Sequence, residues 1–300
     1  MRPDPYAWTT HPEALAAVVL LAGSYALAVR RILAPRWRIV CFAAGAVLLA
    51  ATAVTPLDAL SFHLLSAHLL QNVVLAEWAP ALVLLGLPPA LAASLARIPA
   101  IGFLTRPAVA LSVWLATYVV WHLPPLYDAA LEHPATLLHL EHGSYFAAGC
   151  LFWWPVLHDE PWRMVAGMRA AYLFAAFVLA SPIGLLLALL PEPVYSYYDG
   201  GGLWGLSDLT DQQIAGVTMA SEQAVVFFAA FAVFLLRFLR EEESRDLEPA
   251  SANDGRETSG DPRPAPARNA HGSQGRQAAQ RRSHSSCCRP RRRPWGRSRG

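Results

Sequence analysis

Lysine is missing from this chain: all 24 basic residues are arginine. With no side-chain amine, a Schiff-base pigment and lysine-based covalent catalysis are excluded. Cysteine is scarce too. Of the four, Cys41 and Cys150 sit inside apolar runs and Cys287 and Cys288 are adjacent near the C-terminus, a spacing that supports no disulfide framework. Charged residues make up only 15% of the chain against 54% hydrophobic, and most of them sit at the ends of apolar runs, in the connections between them and in the last sixty or so residues.

What the chain has in abundance is long apolar sequence. Runs near residues 14–33, 38–54, 63–86, 107–123, 136–157, 169–190 and 213–236 each approach the length of about 20 residues that a helix needs to cross a hydrocarbon core of about 30 Å. Lipid supplies no partner for backbone polar groups, so runs of this length are expected to be helices. Alternate connections differ in charge. Arg30, Arg31, Arg36 and Arg38 follow the first run, Arg97 and Arg106 the third, Arg163 and Arg169 the fifth, and Arg237, Arg240 and Arg245 the last. The intervening connections carry acids instead: Asp58, then Asp128 and Glu132, then Glu192, Asp199, Asp208 and Asp211. Arginine is retained on the cytoplasmic side during insertion. The expected fold is therefore all-α, a polytopic membrane bundle of seven transmembrane helices with the N-terminus outside and the C-terminus cytoplasmic.

Topology and tail between them account for the basic residues, so no nucleic-acid partner is expected; the partner of most of the surface is the lipid bilayer. The first run is too long for a signal-peptide core and is preceded by no basic residue beyond Arg2, so it is expected to stay in the mature protein. Residues 1–240 form the expected membrane domain. From about residue 241 to 300 the composition turns to Arg, Pro, Ser and acids without apolar periodicity, which predicts a disordered cytoplasmic tail. Its basic end suits anionic headgroups, and His284, Cys287 and Cys288 suit a soft metal; a solvated extension is the simpler reading. The outer connection from Pro191 to Gln213 is long and rich in Tyr and Trp, which fits an interfacial aromatic belt or a lid.

Seven of the eight histidines before the tail fall at the outer end of the bundle: His11, His63, His68, His122, His133, His139 and His142. His11, His63 and His133 read as interfacial residues. His68, His139 and His142 lie inside apolar runs, where polar groups normally face a bundle interior; metal or proton chemistry and interhelical hydrogen bonding both remain open for them. Gln71 and Asn72 follow His68 at i+3 and i+4, on the same face. His139 and His142, at i and i+3, are placed to converge on one ligand. Imidazole suits copper, zinc and iron, with Glu141 and Asp128 as groups able to orient the rings. Glu77 and Glu222 lie deeper, as a proton relay, an ion-binding pair, or neutral carboxyls bonded across helices. Met219, Gln212 and Gln213 lie on the same last helix, where a single methionine is more often packing.

Several strings together resemble the CtaG-like family of seven-span cytochrome c oxidase assembly factors, from roughly residue 10 to 240: SAHLLQN at 66–72 with Ala79 and Pro80, WHLPPLYDAAL at 121–131, HLEH at 139–142, FWWP at 152–155, and DQQIAG at 211–216 with Met219. The resemblance implies a non-enzymatic accessory factor in the bacterial plasma membrane. It would serve a subunit of a haem-copper cytochrome c oxidase and assist copper delivery or insertion, with copper as the possible cofactor. It maps a metal role onto His68, His122, His139 and His142, more weakly onto Met219, and a polar pocket onto Gln71, Asn72, Asp128, Glu141, Asp211 and Gln212. Asn72 departs from the pattern, where a second histidine is expected four residues after His68; Ala220 stands where tryptophan is expected. Two other classes stay open: a haem-binding or electron-transfer protein with histidine axial ligands, and a proton-coupled transporter using Glu77 and Glu222.

Overall fold

A computed structural model describes residues 3–200 and 202–257, with side chains through Ser244. The chain divides into Met1–Ala250 and Ser251–Gly300; the bundle discussed here belongs to the first unit. In order, its helices are α1 (Pro12–Val29), α2 (Arg36–Val54), α3 (Pro56–Ser61), α4 (Leu65–Gly86), α5 (Pro89–Ala96), α6 (Pro99–Leu104), α7 (Pro107–Trp121), α8 (Pro124–Glu132), α9 (His139–Leu157), α10 (Ala166–Leu189) and α11 (Asp208–Glu257). The tail expected from about residue 241 thus begins within α11; residues 258–300, with His284, Cys287 and Cys288, lie outside the described residues. No strand occurs among the described residues.

Proline opens α1, α3, α5, α6, α7 and α8, where its missing N–H costs nothing and its fixed φ suits the first turn. The same chemistry breaks the fourth apolar run. Pro124 and Pro125 force Leu123 out of helical geometry, and α7 and α8 meet at 74°. His122 is left as the C-cap of α7.

Among the described residues, five helices are long and apolar enough to cross a membrane: α1, α2, α4, α10 and the Asp208–Ser244 part of α11. The bent α7–α8 pair makes six if it is one span. The expected fifth run forms a helix of 19 residues, α9, but its first turn holds His139, Glu141 and His142, and it falls short on apolarity. It is a central helix, with Glu141, Tyr145, Phe152, Trp153 and Trp154 buried. Helix α4 is central as well, 72% buried over its apolar window against 6% for α1.

Halfway along α4, Pro80 cannot donate to the carbonyl of Ala76, and the helix widens into a π turn at Val74–Trp78, a common response to a break in the hydrogen-bond ladder. Helix α9 meets this turn at Gly149. A Cβ there would collide with the Ala76 carbonyl oxygen and come within 2.7 Å of Pro80 Cγ, so only glycine permits the approach. Below this contact Trp114, Phe152 and Phe227 form an aromatic core. Trp114 and Phe152 stack at 4.6 Å, and Tyr172 stacks on Phe152 at 5.2 Å.

The end of α4 opposite its histidine is closed by polar contacts. Arg38 Nη1 donates to the carbonyls of Leu85 at 2.8 Å and Leu87 at 2.6 Å, and the Tyr25 hydroxyl donates to Gly86 at 3.0 Å, satisfying carbonyls that the helix itself leaves open. His158, just past α9, donates from Nε2 to the Leu84 carbonyl at 3.1 Å. Burial pushes its imidazole down to about 4, with the charges of Arg38 and Arg169 adding to the effect and the Leu84 bond opposing it.

Candidate functional site

At the α4 N-terminus the backbone amides of Leu65 and Ser66 have no partner within the helix. Asp211 of α11 supplies it across the bundle. Its carboxylate accepts from Leu65 N at 2.5 Å, Ser66 N at 3.3 Å and Ser66 Oγ at 2.5 Å, which fixes the height of α4 against α11. Gln212 ties down the outer loop, accepting from Val194 N at 2.7 Å and donating to the carbonyls of Leu187 at 3.3 Å and Glu192 at 3.2 Å. Asp128 of α8 holds the same loop through Ser196 and Tyr197. Asp128 meets backbone and hydroxyl groups here, and no imidazole contact of it is observed.

Thus anchored, the loop turns its tyrosines inward. Tyr195 and Tyr198 are buried; the Tyr195 ring stacks on Tyr127 at 4.0 Å, and its hydroxyl donates to the His122 carbonyl at 3.1 Å. Tyr198 donates to the Ser61 carbonyl at 2.7 Å and lies 3.4 Å from His68 Nδ1. Desolvation pushes both phenols up from their ordinary range. Two of the loop's aromatics therefore cover the histidine end from above. Trp204 stays exposed, with its indole donating to the Tyr6 hydroxyl at 2.6 Å.

Under this cover His68 and Glu141 are both inaccessible to solvent. His68 Nε2 is 3.4 Å from Glu141 Oε1, and Asn72 Nδ2 donates to the same oxygen at 2.8 Å. The rings of His68 and His142 meet edge-on at 6.0 Å. His122 lies on the other side of Tyr127, whose ring is 4.9 Å from His68 and 6.4 Å from His122. His122 donates from Nδ1 to the Tyr118 carbonyl at 2.8 Å, and the Tyr145 hydroxyl is 3.3 Å from that nitrogen. The Nε2 atoms of His68, His122 and His142 are buried and have no hydrogen-bond partner. Such orphans are rare in folded proteins.

His139 is on the near side of the same helix as His142 but keeps different company. Its Nδ1 donates to the Ala135 carbonyl at 3.2 Å, and its Nε2 is 3.2 Å from Glu13 Oε1. His11, from the start of α1, completes the group: its ring lies 5.6 Å from that of His139. Among the described residues, His11, Glu13 and His139 bring three donor atoms within 4.8 Å of one another. Asp58 stands behind, accepting from His11 Nε2 at 2.9 Å and from Gln71 Nε2 at 3.3 Å; Gln71 also donates to the Thr52 carbonyl at 2.7 Å.

A second polar layer lies deeper. Glu77 is buried in the π turn of α4, and Glu222 on α11 meets the residue that follows it, Trp78. Trp78 Nε1 donates to Glu222, and Gln223 Nε2 donates to Glu77 at 3.3 Å and to the Tyr118 hydroxyl at 3.2 Å. Met219 is buried, one turn before Gln223 on α11. Tyr118 links the layers, because its carbonyl carries His122.

The expected histidines therefore occupy one end of the bundle in three settings: His68 with His142, His122 apart behind Tyr127, and His139 with His11. His11 had read as interfacial, and Glu13, Asp58, Gln223, Tyr118, Tyr127 and Tyr145 had not been singled out as site residues. A signal existed for some of them. His11 and Glu13 form a His-x-Glu at a helix start, and Tyr118 precedes His122 by one turn.

Residues 21–241 match the family described as cytochrome c oxidase caa3 assembly factor. No curated protein matches the chain, and no solved structure does.

Proposed function

This chain belongs to the cytochrome c oxidase caa3 assembly factor family, and on that footing we propose that it assists copper delivery to an oxidase subunit through histidines at the outer end of a seven-span bundle. In this reading the N-terminus is outside, the arginine-rich connections and C-terminus are cytoplasmic, and the membrane is a bacterial plasma membrane. Helix α9 is the seventh span, its polar first turn shielded from lipid by its neighbours. Copper is cargo, and the chain acts as a carrier or scaffold rather than a catalyst.

The observation that carries the copper reading is the pair of unpartnered Nε2 atoms on His122 and His142, with His68 Nε2 beside them meeting only Glu141 Oε1 at 3.4 Å. In His122 the Nδ1 hydrogen is committed to a carbonyl, and in His68 Nδ1 faces the Tyr198 hydroxyl, which leaves Nε2 as the basic nitrogen of each neutral ring. Glu141, held by Asn72, adds negative charge beside His68. Asparagine at position 72 supplies no imidazole, so any ion at His68 depends on α9 for its other ligands. Donors of this type suit a borderline or soft transition ion.

The test is oxidase maturation in cells carrying His68→Ala, His139→Ala or His142→Ala, with membrane insertion checked in parallel. Impaired maturation with normal insertion is expected; normal oxidase activity in all three would refute the reading. A haem spectrum on purified protein would move these histidines to the electron-transfer class. A second reading, proton coupling, rests on the two carboxyls inside the bundle, Glu77 and Glu222, and on the amide of Gln223 that joins Glu77 to Tyr118. Glu77→Gln with Glu222→Gln would abolish proton uptake in vesicles if it holds, and unchanged maturation in that variant would separate it from the copper reading.

A further inference from the structure

The group at the start of α1 differs from the buried histidines. His11, Glu13 and His139 are partly open to solvent, with side chains 28%, 53% and 33% exposed. They stand at the edge of a cavity of about 450 Å³ between α1, α2 and α9. The cavity walls are mostly apolar, and it is also lined by His142 and Asp58.

Hydrogen-bond logic fixes both rings. Asp58 and the Ala135 carbonyl only accept, so His11 must carry its proton on Nε2 and His139 on Nδ1. The remaining lone pairs, on His11 Nδ1 and His139 Nε2, are 3.6 and 3.2 Å from Glu13 Oε1. Neither nitrogen has a hydrogen to offer that carboxylate when the rings are neutral. Two nitrogen lone pairs and a carboxylate oxygen facing one another lack a positive centre. Metal–donor distances of about 2.1 Å give tetrahedral edges of about 3.4 Å, close to both observed separations. Asp58 behind His11 forms the carboxylate–histidine arrangement that orients metal ligands.

We propose that His11, Glu13 and His139 form a binding site for a divalent transition-metal ion of the zinc or copper(II) type, with a fourth position open to water or an incoming ligand. Two imidazoles and one carboxylate suit that class of ion better than copper(I), which prefers thiolate or thioether. His142 lines the same cavity with an unpartnered Nε2, which supplies an inner ligand for an ion leaving the mouth. His11 and Glu13 precede the 21–241 family match, and His139 lies within it. As an entry point for cargo the site rests on the copper reading above; as a metal site it stands without it.

The experiment uses the full chain, purified through a tag without histidine and carrying His271→Ala, His284→Ala, Cys287→Ser and Cys288→Ser so that the histidines and cysteines of the tail do not contribute. Zn²⁺ and Cu²⁺ are titrated calorimetrically, and Cu²⁺ is followed by its paramagnetic resonance spectrum. One ion per chain is expected. Kd should rise at least about 100-fold in His11→Ala and in His139→Ala, and about 10- to 100-fold in Asp58→Asn, the effect expected for an outer-shell partner. His158→Gln, at the opposite end of the bundle, should leave Kd within about twofold, and its elution and helicity, with those of the other variants, report folding. Unchanged binding in His11→Ala and His139→Ala overturns the proposal, as does equal loss in His158→Gln or no binding by the parent. Oxidase maturation in His11→Ala separates the two readings. Lost binding with normal maturation keeps the site and removes its role in delivery. Impaired maturation with intact binding keeps an assembly role and removes the site.

Discussion

A double-mutant cycle between Asn72 and Glu141 tests whether the buried acid beside His68 works as a carboxylate. Both residues are buried, with the Asn72 amide 2.8 Å from Glu141 Oε1, and Glu141 Oε2 has no partner. A neutral hydrogen bond contributes about 1 kcal/mol net, whereas one to a charged group contributes about 1.5–3 kcal/mol. His68 stands 3.4 Å away as the counter-charge when protonated. Asn72→Ala, Glu141→Gln and the double variant would be unfolded by SDS titration in mixed micelles, with tryptophan fluorescence as the signal. Asn72→Ala alone should cost about 2 kcal/mol, or about 4–8 °C in a thermal scan of a domain this size. A coupling of about 0.5–2 kcal/mol is expected from the cycle, the charged bond less the neutral bond of about 1 kcal/mol that a glutamine there still accepts. Coupling indistinguishable from zero would refute the argument, because Glu141 would then hold the Asn72 amide no better than a neutral acceptor does.

Three further outcomes follow from local geometry. Gly149→Ala should destabilise the protein by about 2 kcal/mol or more in the same SDS titration, since a Cβ there meets the Ala76 carbonyl; Gly143→Ala, which meets nothing within 4 Å, should be neutral or slightly stabilising. His158 is held near 4 in the folded state by burial, below the usual value of about 6.5, so the unfolded chain takes up a proton first as pH falls. Stability from this residue is complete above about pH 6.5 and declines toward pH 4, by at most about 3 kcal/mol. His158→Gln, which keeps a donor for Leu84, should flatten that part of the pH profile, and an unchanged profile would count against it. Asn72→His puts an imidazole one turn from His68, and copper affinity should rise at least about 10-fold in a competition titration; an unchanged affinity would remove α4 as a ligand platform.

Much of the fold is legible in the apolar runs because length and hydropathy act on whole segments. The run holding HLEH is the exception. Its polar first turn is excluded from lipid by burial among other helices, so α9 forms as expected yet lacks the apolarity of the others. The outer location of the histidines is legible for the same reason, as it needs only position along a run. Which histidine meets which partner depends on the rotation of each helix about its axis, and spacing within one run does not set that between helices. His139 and His142 are three residues apart on α9, yet one faces Glu13 and the other His68. What His11 meets is hidden from the sequence for a similar reason: Asp58, a loop acid by sequence, sits buried on α3 and orients the ring.

The strings that carry the family resemblance also divide by physical role. Asp211 closes the α4 N-terminus, Gln212 and Asp128 pin the outer loop, and Phe152 and Trp153 of FWWP belong to the aromatic core. Each of these maintains the enclosure around His68 without offering a lone pair to it. An Asp211→Ala variant strands two backbone amides and a serine hydroxyl in the bundle, so its loss of oxidase maturation would come with loss of folded protein in the membrane. His68→Ala removes one side chain from an already enclosed pocket, and there loss of maturation should come with normal protein levels. The ratio of maturation to membrane level therefore sorts the motif residues into those that build the pocket and those that act in it. A common ratio for Asp211→Ala and His68→Ala would mean that the histidines, too, are architectural.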